Sequence, residues 1–348
     1  MQMFQLGPSS EFRAAPDFGG NVTRLWLAPG RARIGAVLSE DIRYNQVGLC
    51  WDTAARRAIW EAVLYDDAEP YPDPDFDREL ARVIYLVSPG WESPEPRYLC
   101  IRELASGAEG RLRGQHPFFS AVTRDGGEVF AHEIRFEDRA FRLRRWHVPT
   151  ELASTTELAP DVRWSIRLPF GRSGDQQFNN VMTVFTVSPD GKRLAAGRRN
   201  GAVTVWNVAG SREVASIPGI KGTKYRRYGA HRLVFSPDGA RLAAVRDRPR
   251  DKTRGFTVSV WAVPGGQQEK GPKEKGSVNG AAFSPDGRTL LTAREDGTVG
   301  VWDTATWKLR HEYAWNIGKL FSVAFSPDGL TCAAGGEQGQ VVVWDVEL

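Results

Sequence analysis

The chain of 348 residues has little of what most enzyme chemistry requires. It holds three cysteines, Cys50, Cys100 and Cys332, an odd count without metal-ligand spacing. Buried, reduced thiols are therefore expected in place of a disulfide framework or a metal site. Five histidines are present, His116, His132, His147, His231 and His311, and none pairs with another at ligand spacing. His132-Glu133 lacks a second histidine four or five residues on, and no GxxxxGK[ST] phosphate loop occurs. No Ser-His-Asp or Cys-His set can be proposed from spacing. There is no run of about eighteen apolar residues, so no span of a bilayer is expected. MQMFQLGPSSEFR lacks a basic start followed by an apolar core, so it does not read as a signal peptide. These absences point to a cytoplasmic, non-catalytic protein without cofactor or metal, and make a small-molecule ligand an unlikely expectation.

What the chain has is turns and short strands. Its 36 glycines and 21 prolines supply the turns that twenty-odd strands would need. Phe283 to Thr304 reads FSPDGRTLLTAREDGTVGVWDT. Ser284-Pro285-Asp286-Gly287 is a tight turn: proline pre-sets φ, aspartate bonds its own backbone, and glycine takes the positive φ that closes the reversal. The β-branched and aromatic run TVGVW then suits a half-buried strand. The SPDG turn recurs at 188–191, 236–239, 284–287 and 326–329, and each copy precedes a Val-Trp pair, at Trp206, Trp261, Trp302 and Trp344. A period of 40 to 50 residues with turn and strand signals in every unit indicates a repeat architecture. On these residues, and on the Trp-Asp pairs Trp302-Asp303 and Trp344-Asp345, the chain resembles the WD40 repeat family in its bacterial-type SPDG form. The resemblance is strong over 181–348. It implies an all-β propeller of four-stranded blades and a role in protein or peptide binding as a scaffold.

Extended backwards, the repeat fills the chain. Trp51 matches in CWDTA, Arg102 stands in the tryptophan place of IRELA, and Trp146 follows a worn turn at Thr123 to Gly126. With Trp206, Trp261, Trp302 and Trp344 these anchors make seven units, degenerate over 22–160, in one domain spanning 1–348. The six tryptophans are expected to be structural. The last unit has only reached the strand carrying Trp344, and the resemblance implies that its outermost strand comes from the other end of the chain, from Met3 to Leu6 or Glu11 to Ala15, closing the ring. Residues 66–79 (DDAEPYPDPDFDRE) carry so much charge and proline that no strand and little burial are expected, and they read as a long loop between blades one and two. Residues 160–180 read as a second insertion, and the strands of the second blade are the least distinct.

Strands labelled a to d from the axis outward alternate in direction. The a–b and c–d turns then share one face, and b–c turns and d–a crossings share the other. SPDG turns are a–b turns, whereas the long segments 66–79, 160–180, 221–231 and 246–255 all fall on the second face. Elaborated loops on a rigid scaffold are where binding usually sits. Residues 191–275 hold 19 Lys or Arg against 6 Asp or Glu, a net of +13 in a chain of net +4. Candidate binding residues are Arg198, Arg199, Lys224, Tyr225, Arg226, Arg227, Tyr228, Arg246, Arg248 and Arg250. The arginines would pair with carboxylate or phosphate oxygens, and the tyrosines would stack. Such a patch favours an acidic or phosphorylated protein partner. Nucleic acid bound through the same patch is the alternative, and an enzyme at the central channel is the third reading.

Overall fold

The computed structural model describes residues 2–5, 20–41, 44–64, 74–87, 98–113, 117–135, 140–152, 156–169, 182–219, 230–247 and 255–346. Their strands form seven sheets. Blade one is the simplest: Asn21–Leu27, Arg33–Asp41, Tyr44–Asp52 and Arg57–Leu64 pair antiparallel in that order, from a to d. The a strands of neighbouring blades touch, and Asn21–Leu27 lies beside Ser322–Phe325 of blade seven, so the sheets stand in a ring. Every anchor residue from Trp51 to Trp344, Arg102 included, lies on strand c of its blade. Trp146, Trp206, Trp261, Trp302 and Trp344 are 1 to 6% exposed and fill the clefts between blades. Such burial of an aromatic ring contributes about 3 kcal/mol.

The a–b turns are built by one recurring arrangement. Ser188, Ser236, Ser284 and Ser326 each donate from Oγ to the aspartate two residues on, at 2.5–2.6 Å. The same Oγ accepts the N–H five residues on, at 2.9–3.0 Å. Gly239 (φ +66°) and Gly287 (φ +72°) close the reversal in a conformation that a Cβ would strain. Arginines at the start of strand b then tie each turn to the next blade. Arg33 donates to the Leu80 carbonyl (2.9 Å), Arg82 to Gly126 (3.3 Å) and Arg193 to Gly239 (2.7 Å).

Several expectations need correction. Residues 66–79 do contribute a strand. Asp75–Phe76 is the innermost strand of blade two, and Phe76 packs against Trp26 and Trp60 of blade one. Asp77 takes the place of the SPDG serine, its Oδ1 accepting the N–H groups of Ala81 (2.8 Å) and Arg82 (3.1 Å), while Leu80 (φ +49°) stands where glycine would be. Backbone N–H groups satisfy these carboxylates, so the acidic composition did not forbid burial. Residues 65–73 lie outside the described residues.

Nor are the blades uniformly four-stranded. Blade two has five strands, because Thr156–Leu158 adds in parallel to its Glu109–Leu112. The chain then returns to blade three, where Ser165–Pro169, expected as insertion, is the d strand. The connection 148–164 is thus a long c–d segment, so irregular sequence is not confined to one face. Blade five has three strands. Beside its Phe256–Ala262 runs a Gly/Pro segment that makes a bridge from Gln268 to Trp261 and a bond from the Glu269 N–H to the Val260 carbonyl (2.9 Å). Pro272 has no N–H to continue a ladder. In blade seven, Gln2–Gln5 pairs antiparallel with Gln340–Asp345 as the outermost strand. Glu11 to Ala15 lies outside the described residues.

Candidate functional site

The described strand ends that flank the basic stretches of the sequence lie on the side of the b–c turns and d–a crossings. The connection joining Arg212–Ile217 to Ala230–Phe235 holds Lys224, Tyr225, Arg226, Arg227 and Tyr228, and that joining Arg241–Asp247 to Phe256–Ala262 holds Arg248 and Arg250. These seven residues lie outside the described residues, but the strand ends that launch them are described. They meet in space: the Arg246 guanidinium donates to the Gly201 carbonyl (3.4 Å) in the b–c turn of blade four and to the Pro218 carbonyl (3.2 Å) at the exit of its strand d.

That contact removes Arg246 from the surface set. The residue is buried, its guanidinium lies 4.9 Å above the Trp261 ring, and burial holds its pKa below the usual arginine value. It brackets two blades and is not presented to a partner. The sequence contains the signal for this. Arg198, Arg246 and Arg294 recur at 48-residue intervals, so they occupy one repeat position, the end of strand b.

Arg294 shows what the position can do when acids are at hand. Its Nε donates to Glu274 Oε2 (2.7 Å) and its Nη1 pairs with Glu312, with the Trp302 ring 5.9 Å below. The Glu274 side chain is fully buried and accepts the Thr292 hydroxyl at 2.6 Å; Thr292 in turn accepts Trp302 Nε1–H at 3.1 Å. Glu274, on the d–a crossing, thus ties that crossing to the tryptophan of blade six. Room for it comes from Gly300, where a Cβ would sit 2.4 Å from Arg294 Nη2 and 2.8 Å from Thr292 Oγ1.

Arg198 is half-buried at the same position of blade four. Burial lowers its pKa, opposed only by the charge of Glu213. Among the described residues no acceptor is bonded to its guanidinium. Arg199 follows it, half-buried at the turn.

The central channel is crossed near this face. Arg232, on strand a of blade five, donates from Nη2 to the Thr23 carbonyl of blade one at 2.5 Å, and those blades are not neighbours. His231 stacks on Phe256 (centroids 4.9 Å), and burial with Arg232 and Arg24 close by holds its pKa down to about 3. Arg24 and Arg232 were not among the sequence candidates. Among the described residues no group of three or more His, Cys, Asp or Glu is placed to hold a metal ion. No described helix is long and apolar enough to cross a membrane. Cys50, Cys100 and Cys332 are buried free thiols, with burial pushing Cys50 up to about 12 and Cys100 to about 11.

The family model described as "WD domain, G-beta repeat" matches residues 176–207, 268–303 and 308–345. The chain is 28% identical over 124 residues to "Protein LST8 homolog" of Drosophila melanogaster, covering 33% of this chain and 36% of that protein. It is 31% identical over 139 residues to "Small ribosomal subunit protein RACK1" of Schizosaccharomyces pombe, covering 38% and 40%. It is 26% identical over 189 residues to human "Angio-associated migratory cell protein", covering 51% and 42%. The chain thus spans well under half the length of these curated relatives. Among solved structures, the β-propeller domain of Myceliophteria thermophila Cps50 (Swd1) superposes with a TM-score of 0.63 at 15% identity, covering 94% of this chain and 98% of that one. The fold is a WD40-type seven-bladed propeller, and three of its repeat segments match the WD-repeat family model.

Proposed function

We propose that this WD-repeat propeller is a non-catalytic scaffold that binds a protein or peptide through the face of its b–c turns and d–a crossings. Blades four and five provide a basic sector there that favours acidic or phosphorylated segments. The observation that carries the reading is the contrast between faces. On the a–b side, Arg33, Arg82 and Arg193 are bonded to turn carbonyls. On the other side, two connections rich in Arg and Lys leave adjacent blades that Arg246 holds together.

The relatives agree with a non-enzymatic assignment, since none of them is named for a reaction. Arg232 spanning the channel also narrows the space in which an enzyme reading would place its substrate. Ring closure by Gln2–Gln5 belongs to the same proposal: it makes the scaffold one rigid domain.

Affinity capture from lysate compares wild type with a variant carrying Arg226, Arg227, Arg248 and Arg250 changed to Glu. The reading expects loss of specific partners; unchanged recovery would remove the basic sector from it. A nucleic-acid partner would announce itself by nuclease sensitivity and by a steep fall in affinity between low and moderate salt.

A further inference from the structure

We infer that the side bearing the b–c turns and d–a crossings is self-complementary in charge and docks a second copy of this chain, an inference that rests on the binding face proposed above and names one partner for it.

Sorted by the strand ends they join, the connections of this side divide into two sectors. Those of blades four and five, at 198–202, 218–229, 246–254 and 270–277, hold 14 Lys or Arg against 3 Asp or Glu. The rest, at 6–20, 40–43, 65–74, 88–97, 136–139, 170–181, 295–297, 315–321 and 336–339, hold 6 against 16.

The described residues hold both signs on fixed backbone where the sectors meet. On the crossing from blade five to blade six, the Glu274 side chain is drawn inward to Arg294 and Thr292, while its neighbours Lys273 and Lys275 are exposed. Ser277 ends that crossing. Its Oγ accepts the Phe256 N–H at 3.1 Å, and its carbonyl accepts the Glu295 N–H at 2.9 Å. The basic crossing therefore abuts the b–c turn of blade six, where Glu295 and Asp296 are exposed. Glu337 stands on the b–c turn of blade seven, its N–H bonded to the Ile317 carbonyl at 3.4 Å. Lys319 lies between these turns and pairs with Glu295 at 3.0 Å, which leaves the two turns net acidic.

Two sectors of opposite sign on one side of a disc pair with themselves. A twofold axis in the plane of the face, on the bisector of the sectors, turns a second copy over. Its basic sector then meets the acidic sector of the first copy, and the reverse, in one closed contact. A uniformly acidic surface broad enough to cover the face would be repelled by the turns of blades six and seven, whereas a second copy complements both sectors at once. Each exposed ion pair contributes little by itself, but the symmetry repeats every one of them.

Sedimentation velocity on the full chain tests this at about 50 mM and about 500 mM salt, since screening weakens exposed pairs. Wild type should dimerise at low salt and associate at least tenfold more weakly at high salt. K273E/K275E and E295K/E337K should each weaken low-salt association at least tenfold, with urea midpoints near wild type. K192E, on the a–b side, should associate as wild type does. Mixed in equal amounts, the two double variants should recover a heterodimer, because their reversed sectors complement each other. Monomeric wild type at low salt would overturn the inference and leave the proposed partner reading to its own capture experiment. A dimer indifferent to K273E/K275E, or a mixture that stays monomeric, would overturn the pairing of the sectors. A dimer dissolved by nuclease would be bridged by nucleic acid, which overturns it as well. Dimerisation rescued in the mixture, with partner capture unaffected by the arginine changes described above, would sink the acidic-partner reading alone.

Discussion

Glu274 and Arg294 form a buried ion pair in blade six, Nε to Oε2 at 2.7 Å, with the glutamate reaching in from the crossing that follows blade five. The pair joins a chain of bonds through Thr292 to the indole of Trp302, and so fastens a d–a crossing to the tryptophan of the next blade. Removing one member of a buried pair leaves the other charge uncompensated, typically at a cost of about 3–5 kcal/mol. E274A should therefore lower stability by about that amount in urea unfolding. E274A/R294M should regain much of it, and a double-mutant cycle measures the coupling. Additive losses would show that the two residues act independently.

Gly300 tests the same network through space alone. An alanine methyl there meets Arg294 Nη2 and Thr292 Oγ1 well inside contact distance. G300A should cost about 1–3 kcal/mol as an overpacked site. The G300A/R294M pair should cost less than the sum of the two single changes. An ordinary surface value for G300A, within about 0.5 kcal/mol, would mean that the network is looser than described.

On the a–b face, the bond from Arg193 to the Gly239 carbonyl joins blades four and five. A hydrogen bond from a charged donor contributes about 1.5–3 kcal/mol. R193M should destabilise the fold by about that much without changing partner capture. Loss of partner with intact stability would place binding on the wrong face.

Acid should destabilise the propeller before its aspartates titrate. His132 is 2% exposed in blade three, and burial holds its pKa down to about 3 from an ordinary 6.5. A depressed folded pKa contributes stability that is complete above the unfolded value and is lost as pH falls below it. The expected loss is about 1.4 kcal/mol per pH unit below 6.5, continuing toward the folded value. The difference in unfolding free energy between wild type and H132Q should shrink with that slope from pH 6.5 downward. A difference independent of pH would place the imidazole in water.

Asp75 carries the opposite sign. Burial pushes its pKa up to about 6, against the N–H groups of Val122 and Phe76 that bond its two oxygens. A raised folded pKa makes the protein lose stability as pH rises from about 4 to 6, and the loss is complete above that. D75N replaces one of those two accepting oxygens by an NH2 donor and so carries a fixed offset, but between pH 4 and pH 7 it should gain about 2–3 kcal/mol on wild type. A difference between the two that does not change with pH over that range would show an ordinary carboxylate.

Repeat count and the strand-c anchors were legible because turn chemistry and tryptophan spacing are local and reiterated. Arg102 illustrates the limit: it replaces a tryptophan yet holds the register by bonding Glu109 at 2.7 Å. Blade two was misread because Asp77 and Leu80 perform the work of serine and glycine with different chemistry. The excursion of Thr156–Leu158 to a neighbouring blade left no mark in the sequence, since three residues have no periodicity to read. At the candidate site, the clustering of basic sequence on two neighbouring connections was visible, but the fate of each arginine was not. The 48-residue spacing of Arg198, Arg246 and Arg294 was there to be noticed. Their separate partners depend on which carbonyl or acid the adjacent blade supplies, a tertiary fact.

Hydrogen exchange on the protein with and without its captured partner tests the central claim most directly. The account predicts protection at 198–202, 218–232 and 246–256, with the a–b turns at 188–191, 236–239, 284–287 and 326–329 exchanging as in the free protein. Protection at the SPDG turns, with the basic connections unchanged, would contradict it.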